Sequence, residues 1–121
     1  MASVLFIEYP KCSTCKKAKA WLDAHGIDYT DRHIVEDNPT AAELAAWQKV
    51  SGLPVRRFFN TSGQLYRQRN LKATLDAGIS DAEAFGLLAE NGMLVKRPFV
   101  VGDDFVLVGF REKEWEAALL R

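Results

Sequence analysis

Both cysteines of this 121-residue chain lie in YPKCSTCKKAKAWL, residues 9–22, where a strand-like run hands over to a helix-like one. That handover restricts the folds open to the chain more than any other feature. Before it, residues 3–9 (SVLFIEY) carry the β-branched and aromatic side chains of a buried strand, which Pro10 ends. After it, the run STCKKAKAWLDAH sets Cys15, Ala18, Trp21 and Leu22 along one helical stripe, with lysines opposite. Gly26 suits the position just past a helix end, and residues 27–35 (IDYTDRHIV) read as a second strand. Strand, helix and strand within about 35 residues form a βαβ unit, whose strands are parallel and whose crossover is right-handed.

The middle of the chain reads as helical. Thr40 and Glu43 form a capping box ahead of LAAWQKV, and Gly52 ends that helix. Pro54 opens a short helix over VRRFF. Residues 60–70 (NTSGQLYRQRN) are rich in turn formers and read as a structured loop. Ser80 and Glu83 make a second capping box for a helix over DAEAFGLLAEN that stops at Gly92. The character then changes: FVV and FVLVGF flank Gly102, Asp103 and Asp104 as the two arms of a hairpin. REKEWEAALL closes as an amphipathic helix with Trp115, Ala118 and Leu119 inward. This order predicts an α/β fold of thioredoxin-like type, a mixed four-stranded sheet (βαβ + ββα) with an inserted helical block. The whole chain, 1–121, is expected to be one domain. Its core spans 1–38 and 93–121, and the insertion spans 39–92 and packs at one end of the sheet.

A thiol at a helix N-terminus faces unsatisfied backbone N–H groups and the positive end of the helix dipole, and both favour the nucleophilic thiolate. Cys12 falls in the loop before the helix and Cys15 in its first turn. Cys12 is therefore expected to be exposed and the more acidic, with Cys15 deeper and placed to resolve a mixed disulfide. Two inert core cysteines would have no reason to sit together at this junction. A zinc site needs two further ligands, and the histidines available are His25 and His33. Their spacing misses the usual finger pattern, and the helix puts His25 more than about 10 Å from the thiols. No metal is expected.

Lys plus Arg number 16 and Asp plus Glu number 16, so the chain lacks the basic excess of a general nucleic-acid binder. No apolar run reaches the roughly 20 residues that span a bilayer. The opening MASVLFIEYPKC has neither a basic segment nor a small-residue cleavage site. Two cysteines in C-x-x-C spacing then point to a reducing compartment, the cytoplasm by default, with no membrane and no direct nucleic-acid partner.

With YPKCSTCKKAKAWL, KRPFVV and LVGFREKEW in place, the chain resembles the arsenate reductase family of the thioredoxin-like superfamily over essentially its whole length. That family includes glutaredoxin-linked arsenate reductases, a glutathione-associated thiol reductase-like branch, and Spx-type transcription regulators. The resemblance implies that Cys12 is the nucleophile and that Arg97 contacts the oxyanion or substrate. It also implies that Pro98 is a cis-proline facing the cysteine, and that Arg111 falls near a further substrate arginine. Two positions depart from the pattern. Asn60 stands where the arsenate reductases carry an arginine, and the neighbouring Arg56 and Arg57 are expected to point elsewhere. Cys15 is absent from the glutaredoxin-linked enzymes, whereas Spx-type regulators have such a pair as a redox switch.

Three activities are compatible with these residues. The first is thiol–disulfide exchange, with Cys12 attacking a small or protein disulfide and Cys15 resolving it. The second is arsenate reduction, in which Cys12 attacks arsenic and arginines hold the oxyanion. The third is an Spx-type regulator that binds an RNA polymerase α subunit. No bound cofactor is expected; glutathione, glutaredoxin or thioredoxin are the candidate electron donors. Arginine suits an oxyanion because its fork binds two oxygens at once, and Asn60 leaves that cradle thin. Thiol redox chemistry therefore ranks first.

Overall fold

The computed structural model describes residues 3–120. Strand β1 (Val4–Glu8) lies inside the sheet. It pairs in parallel with β2 (Tyr29–His33) on one side and antiparallel with β3 (Phe99–Val101) on the other. β3 continues to β4 (Val106–Val108), so the order is β2-β1-β3-β4. The mixed four-stranded sheet expected from the chain order is therefore present. β2 is shorter than the nine residues read from sequence, for local reasons at each end. The Ile27 N–H turns back to the Leu22 carbonyl at 3.0 Å, and the His33 Nδ1 accepts the Val35 and Glu36 N–H groups at 3.1 Å.

Strand alternation sends side chains to two faces. Val4, Phe6 and Val100 meet Ala18 and Leu22 of α1 (Ser13–Ala24) and Trp115 of α6 (Glu112–Leu119). Trp115 is fully buried, packs edge-on against Phe6, Trp21 and Phe110, and donates its Nε1–H to the Gly109 carbonyl at 3.0 Å. Ile7, Phe99, Val106 and Val108 point the other way and are covered by the helical block. The block thus lies over a face of the sheet rather than only at its end, because residues such as Leu44, Trp47 and Phe58 need that apolar face to bury against.

Within the block, α2 (Ala41–Ser51) and α5 (Asp81–Glu90) carry the capping boxes read from Thr40–Glu43 and Ser80–Glu83. The segment after Pro54 is a 3₁₀ turn, Val55–Phe58. The stretch read as a loop over residues 60–70 contains α3 (Gln64–Gln68), followed by α4 (Leu71–Asp76). Each is at most two turns long, too short for a period to show in sequence; Tyr66, Leu71 and Leu75 form them by being buried. α5 gives way to a second 3₁₀ turn, Gly92–Leu94. Gly92 is required there, since a Cβ would overlap the Ile34 carbonyl that passes against it. No described helix is long and apolar enough to cross a membrane.

Candidate active site

The short loop from β1 to α1 delivers Cys12 to the helix start. Its N–H donates to the Tyr9 carbonyl at 2.9 Å, its backbone is extended, and its carbonyl accepts the Lys16 N–H at 3.0 Å. Cys12 is therefore the N-cap of α1, without a hydroxyl or carboxylate cap to compete for the free N–H groups. It is half-buried, Cys15 is fully buried one turn further on, and no disulfide joins them.

Their acidities diverge. Burial pushes the Cys12 thiol up, but hydrogen bonds from the Cys15 backbone and side chain, the Arg97 side chain and the Thr14 backbone outweigh it, leaving the thiol below its ordinary 9.0. Burial dominates at Cys15, and the neighbouring Cys12 adds to it, so that thiol is pushed up to about 12. One sulfur is thus prepared as a thiolate and the other is kept as a thiol.

Arg97 reaches the site from the segment before β3. Its Nη1 donates to the Met93 carbonyl at 3.2 Å, and its guanidinium lies over the Tyr9 ring at 5.2 Å. The Arg97 side chain also hydrogen-bonds the Cys12 thiol. The Arg97–Pro98 peptide is cis, as the resemblance implies, and Pro98 is buried. Its carbonyl accepts the Gly109 N–H at 2.8 Å, which ties this segment to the end of β4.

Not every residue singled out in the sequence converges here. Arg111 is exposed and pairs loosely with Glu114 at 3.6 Å; it borders a cavity of about 190 Å³ that begins at Thr14. Asn60 lines a different cavity, with Gly63, Gln64 and Met93, and its Oδ1 accepts the Ser62 hydroxyl at 3.4 Å. Arg56 does point away, to Asp76 at 2.8 Å. Arg57 borders the Thr14 cavity together with Lys96. Successive residues of a 3₁₀ turn point about 120° apart, so neighbouring arginines must diverge, but the sequence does not say which of them borders the Thr14 cavity. Tyr9 was also missed, although its place in YPKC, beside the nucleophile, was a usable signal. Among the described residues no three His, Cys, Asp or Glu side chains gather as metal ligands would.

A model described as the ArsC family matches residues 7–118. The chain belongs to the ArsC family. An ArsC family related protein from Bacteroides fragilis is 55% identical, with 94% of this chain and 95% of that one covered at a TM-score of 0.91. The uncharacterized protein YusI of Bacillus subtilis is 47% identical over 94% of this chain and 96% of its own. An arsenate reductase from Vibrio cholerae is 29% identical, covering 98% of this chain and 96% of that one at a TM-score of 0.80. The global transcriptional regulator Spx of Staphylococcus epidermidis is 30% identical over 87% of this chain and 78% of its own. ArsC-family relatives thus include both an enzyme and a regulator.

Proposed function

We propose that this ArsC-family chain is a dithiol redox protein that reduces disulfides, with Cys12 as nucleophile and Cys15 as resolving thiol. The observation that carries this reading is the asymmetry of the pair: an acid-shifted, half-buried Cys12 above a fully buried Cys15 held near 12. The Cys12 thiolate attacks one sulfur of a disulfide and the other sulfur leaves as a thiolate. Cys15 then attacks the Cys12 sulfur, giving up its proton to solvent, and the second thiolate leaves. The protein ends as a Cys12–Cys15 disulfide and the substrate as two thiols, until glutathione, glutaredoxin or thioredoxin returns two electrons. Arg97 holds the anionic sulfur in the first step, and a reducing compartment such as the cytoplasm suits a resting dithiol.

Arsenate reduction ranks below this, because Asn60 stands where the arsenate reductases carry an arginine, brings no charge and lines another cavity. The Spx relative supports a further reading, in which the same pair senses oxidation and the protein binds an RNA polymerase α subunit. One set of assays separates these. Disulfide reduction should be lost in Cys12→Ser, and Cys15→Ser should accumulate a mixed disulfide on Cys12. Arsenate-dependent use of reducing equivalents, with glutathione plus glutaredoxin or with thioredoxin, should be slow or absent. Rapid arsenate turnover would reverse the ranking, and binding of purified α subunit without any disulfide reduction would favour the regulator.

A further inference from the structure

At Thr14, two residues past the nucleophile, lies a cavity of about 190 Å³ whose walls are unusually cationic for a chain of zero formal net charge: Arg57, Lys96 and Arg111 all border it. Three different parts of the fold supply them. Arg57 comes from the 3₁₀ turn Val55–Phe58, Lys96 from the segment before the cis peptide, and Arg111 from the N-cap of α6. The Lys96 N–H donates to the Phe58 carbonyl at 2.8 Å, which sets Lys96 alongside that turn. The Lys96 stem then passes Gly109, where an added Cβ would come within 3.3 Å of Lys96 Cε and where φ is +79°. Gly109 thus serves both a left-handed backbone and the passage of the lysine.

Arg57 and Lys96 have no carboxylate partner among the described residues, in contrast to Arg32, Arg56 and Arg69. Arg111 has only the exposed Glu114 at 3.6 Å. Neither cysteine borders the cavity, but Thr14 links the two: it borders the cavity, and its backbone N–H bonds to the Cys12 sulfur. At about 30 Å³ per water, the space holds a handful of heavy atoms, enough for a carboxylate on a short stem. A second, smaller cavity of about 90 Å³ adjoins it through Arg57, Val108 and Gly109 and carries Glu114 on its border.

We infer that Arg57, Lys96 and Arg111 form an anion-recognition subsite that selects small disulfides bearing a carboxylate close to the sulfur attacked by Cys12. The inference rests on the dithiol reading above and names the substrate class for it. A carboxylate seated among these cations holds its sulfur on the Thr14 side of Cys12, where the thiolate can reach it. After attack the leaving thiolate departs, and the mixed disulfide keeps its carboxylate in the cavity while Cys15 completes the exchange. Arg57 and Lys96 set specificity, and the bond chemistry remains with the two cysteines.

The test compares three small disulfides of different charge: anionic dithiodiglycolate, neutral bis(hydroxyethyl) disulfide and cationic cystamine. The rate of Cys12 oxidation by each is read in the wild-type protein and its variants. The anionic-to-neutral rate ratio should fall by about fivefold in Arg57→Gln/Lys96→Gln, in keeping with partly screened surface charges, and should fall less at high salt. Glu114→Gln should raise the ratio, because it removes the carboxylate that competes for Arg111. Arg56→Gln, whose arginine is held by Asp76 outside the cavity, should leave the ratio where it was. An unchanged ratio in the double variant and in Arg57→Gln alone, with Cys12 still reacting, overturns the subsite and leaves the dithiol reading standing. Failure of Cys12 to react with any of the three disulfides removes the dithiol reading and the subsite together.

Discussion

At Cys12 the thiol stands at the mouth of α1 and collects hydrogen bonds from the Cys15 and Thr14 backbone, the Cys15 side chain and the Arg97 side chain. Cys15, one turn deeper, has lost its water and gained few such bonds. The difference predicts the order of labelling. Iodoacetamide at mildly acidic pH should alkylate Cys12 and leave Cys15 untouched in the folded protein. The Cys12 rate should climb with pH through a midpoint below the thiol's ordinary 9.0, since the thiolate reacts and its formation is favoured here. Arg97→Gln removes one of the hydrogen bonds that hold the thiol down, so the midpoint should move up. A rate profile unmoved in Arg97→Gln would show that the helix start alone sets the acidity of Cys12.

Among the elements, α2 is joined to the sheet by one carboxylate with two tasks. Glu43 accepts the Thr40 N–H at 3.0 Å in the capping box, and both its oxygens receive the Arg32 guanidinium at 2.7 and 2.9 Å. Arg32 comes from β2, keeps little exposure, and lies over the Trp47 ring at 5.9 Å. The pairing with Arg32 holds the Glu43 carboxyl down at about 2. Thr40→Ala removes only the cap and should cost about 1 kcal/mol in a urea titration. Glu43→Ala removes half of the box and the bidentate pair, and leaves a mostly buried guanidinium with the exposed Asp37 carboxylate at 3.4 Å as its remaining ion partner, so its cost should be clearly larger. Equal urea midpoints for the two variants would mean that the Arg32 bridge adds nothing to the cap.

For the molecule as a whole, pH acts through Glu8, which is 3% exposed at the end of β1. It faces Lys19 of α1 at 3.6 Å and Asp31 of β2, with His33 opposite it in the strand register. Burial first, then the hydrogen bond and charge of Asp31, push the Glu8 carboxyl up to about 7. Asp31 moves the other way, despite partial burial, because it accepts hydrogen bonds from Glu8 and Lys19. Below about pH 7 the pair therefore keeps one proton, on Glu8. Between the ordinary value of 4.5 and about 7 the folded chain holds a proton at Glu8 that the unfolded chain releases. Folding stability from this group is full below that window and is lost as pH rises through it. Glu8→Gln supplies a permanent neutral donor, so urea midpoints of wild type should fall relative to Glu8→Gln between about pH 5 and pH 8. A constant difference across that range would place the proton elsewhere.

Much of this architecture was written locally in the chain. The βαβ unit, both capping boxes, the hairpin around Gly102 and the placement of Cys12 before Cys15 at a helix start depend on residues within a few positions of one another. Arg97 beside a cis-proline was legible through family resemblance. Other features were not local and could not be read. Whether Arg56 or Arg57 meets the Thr14 cavity depends on how a 3₁₀ turn is clamped by the Phe59–Val95 bridge and the Lys96–Phe58 hydrogen bond, contacts between residues nearly forty positions apart. The helices within and just after residues 60–70 form because Tyr66, Leu71 and Leu75 find a core to enter, without a period long enough to announce them. Glu8 becomes a neutral carboxylic acid only because α1 crosses over it and β2 brings Asp31 beside it. Local propensity and capping are decided by near neighbours, whereas burial, charge pairing and the aim of an arginine are decided by whatever the folded chain brings across from elsewhere.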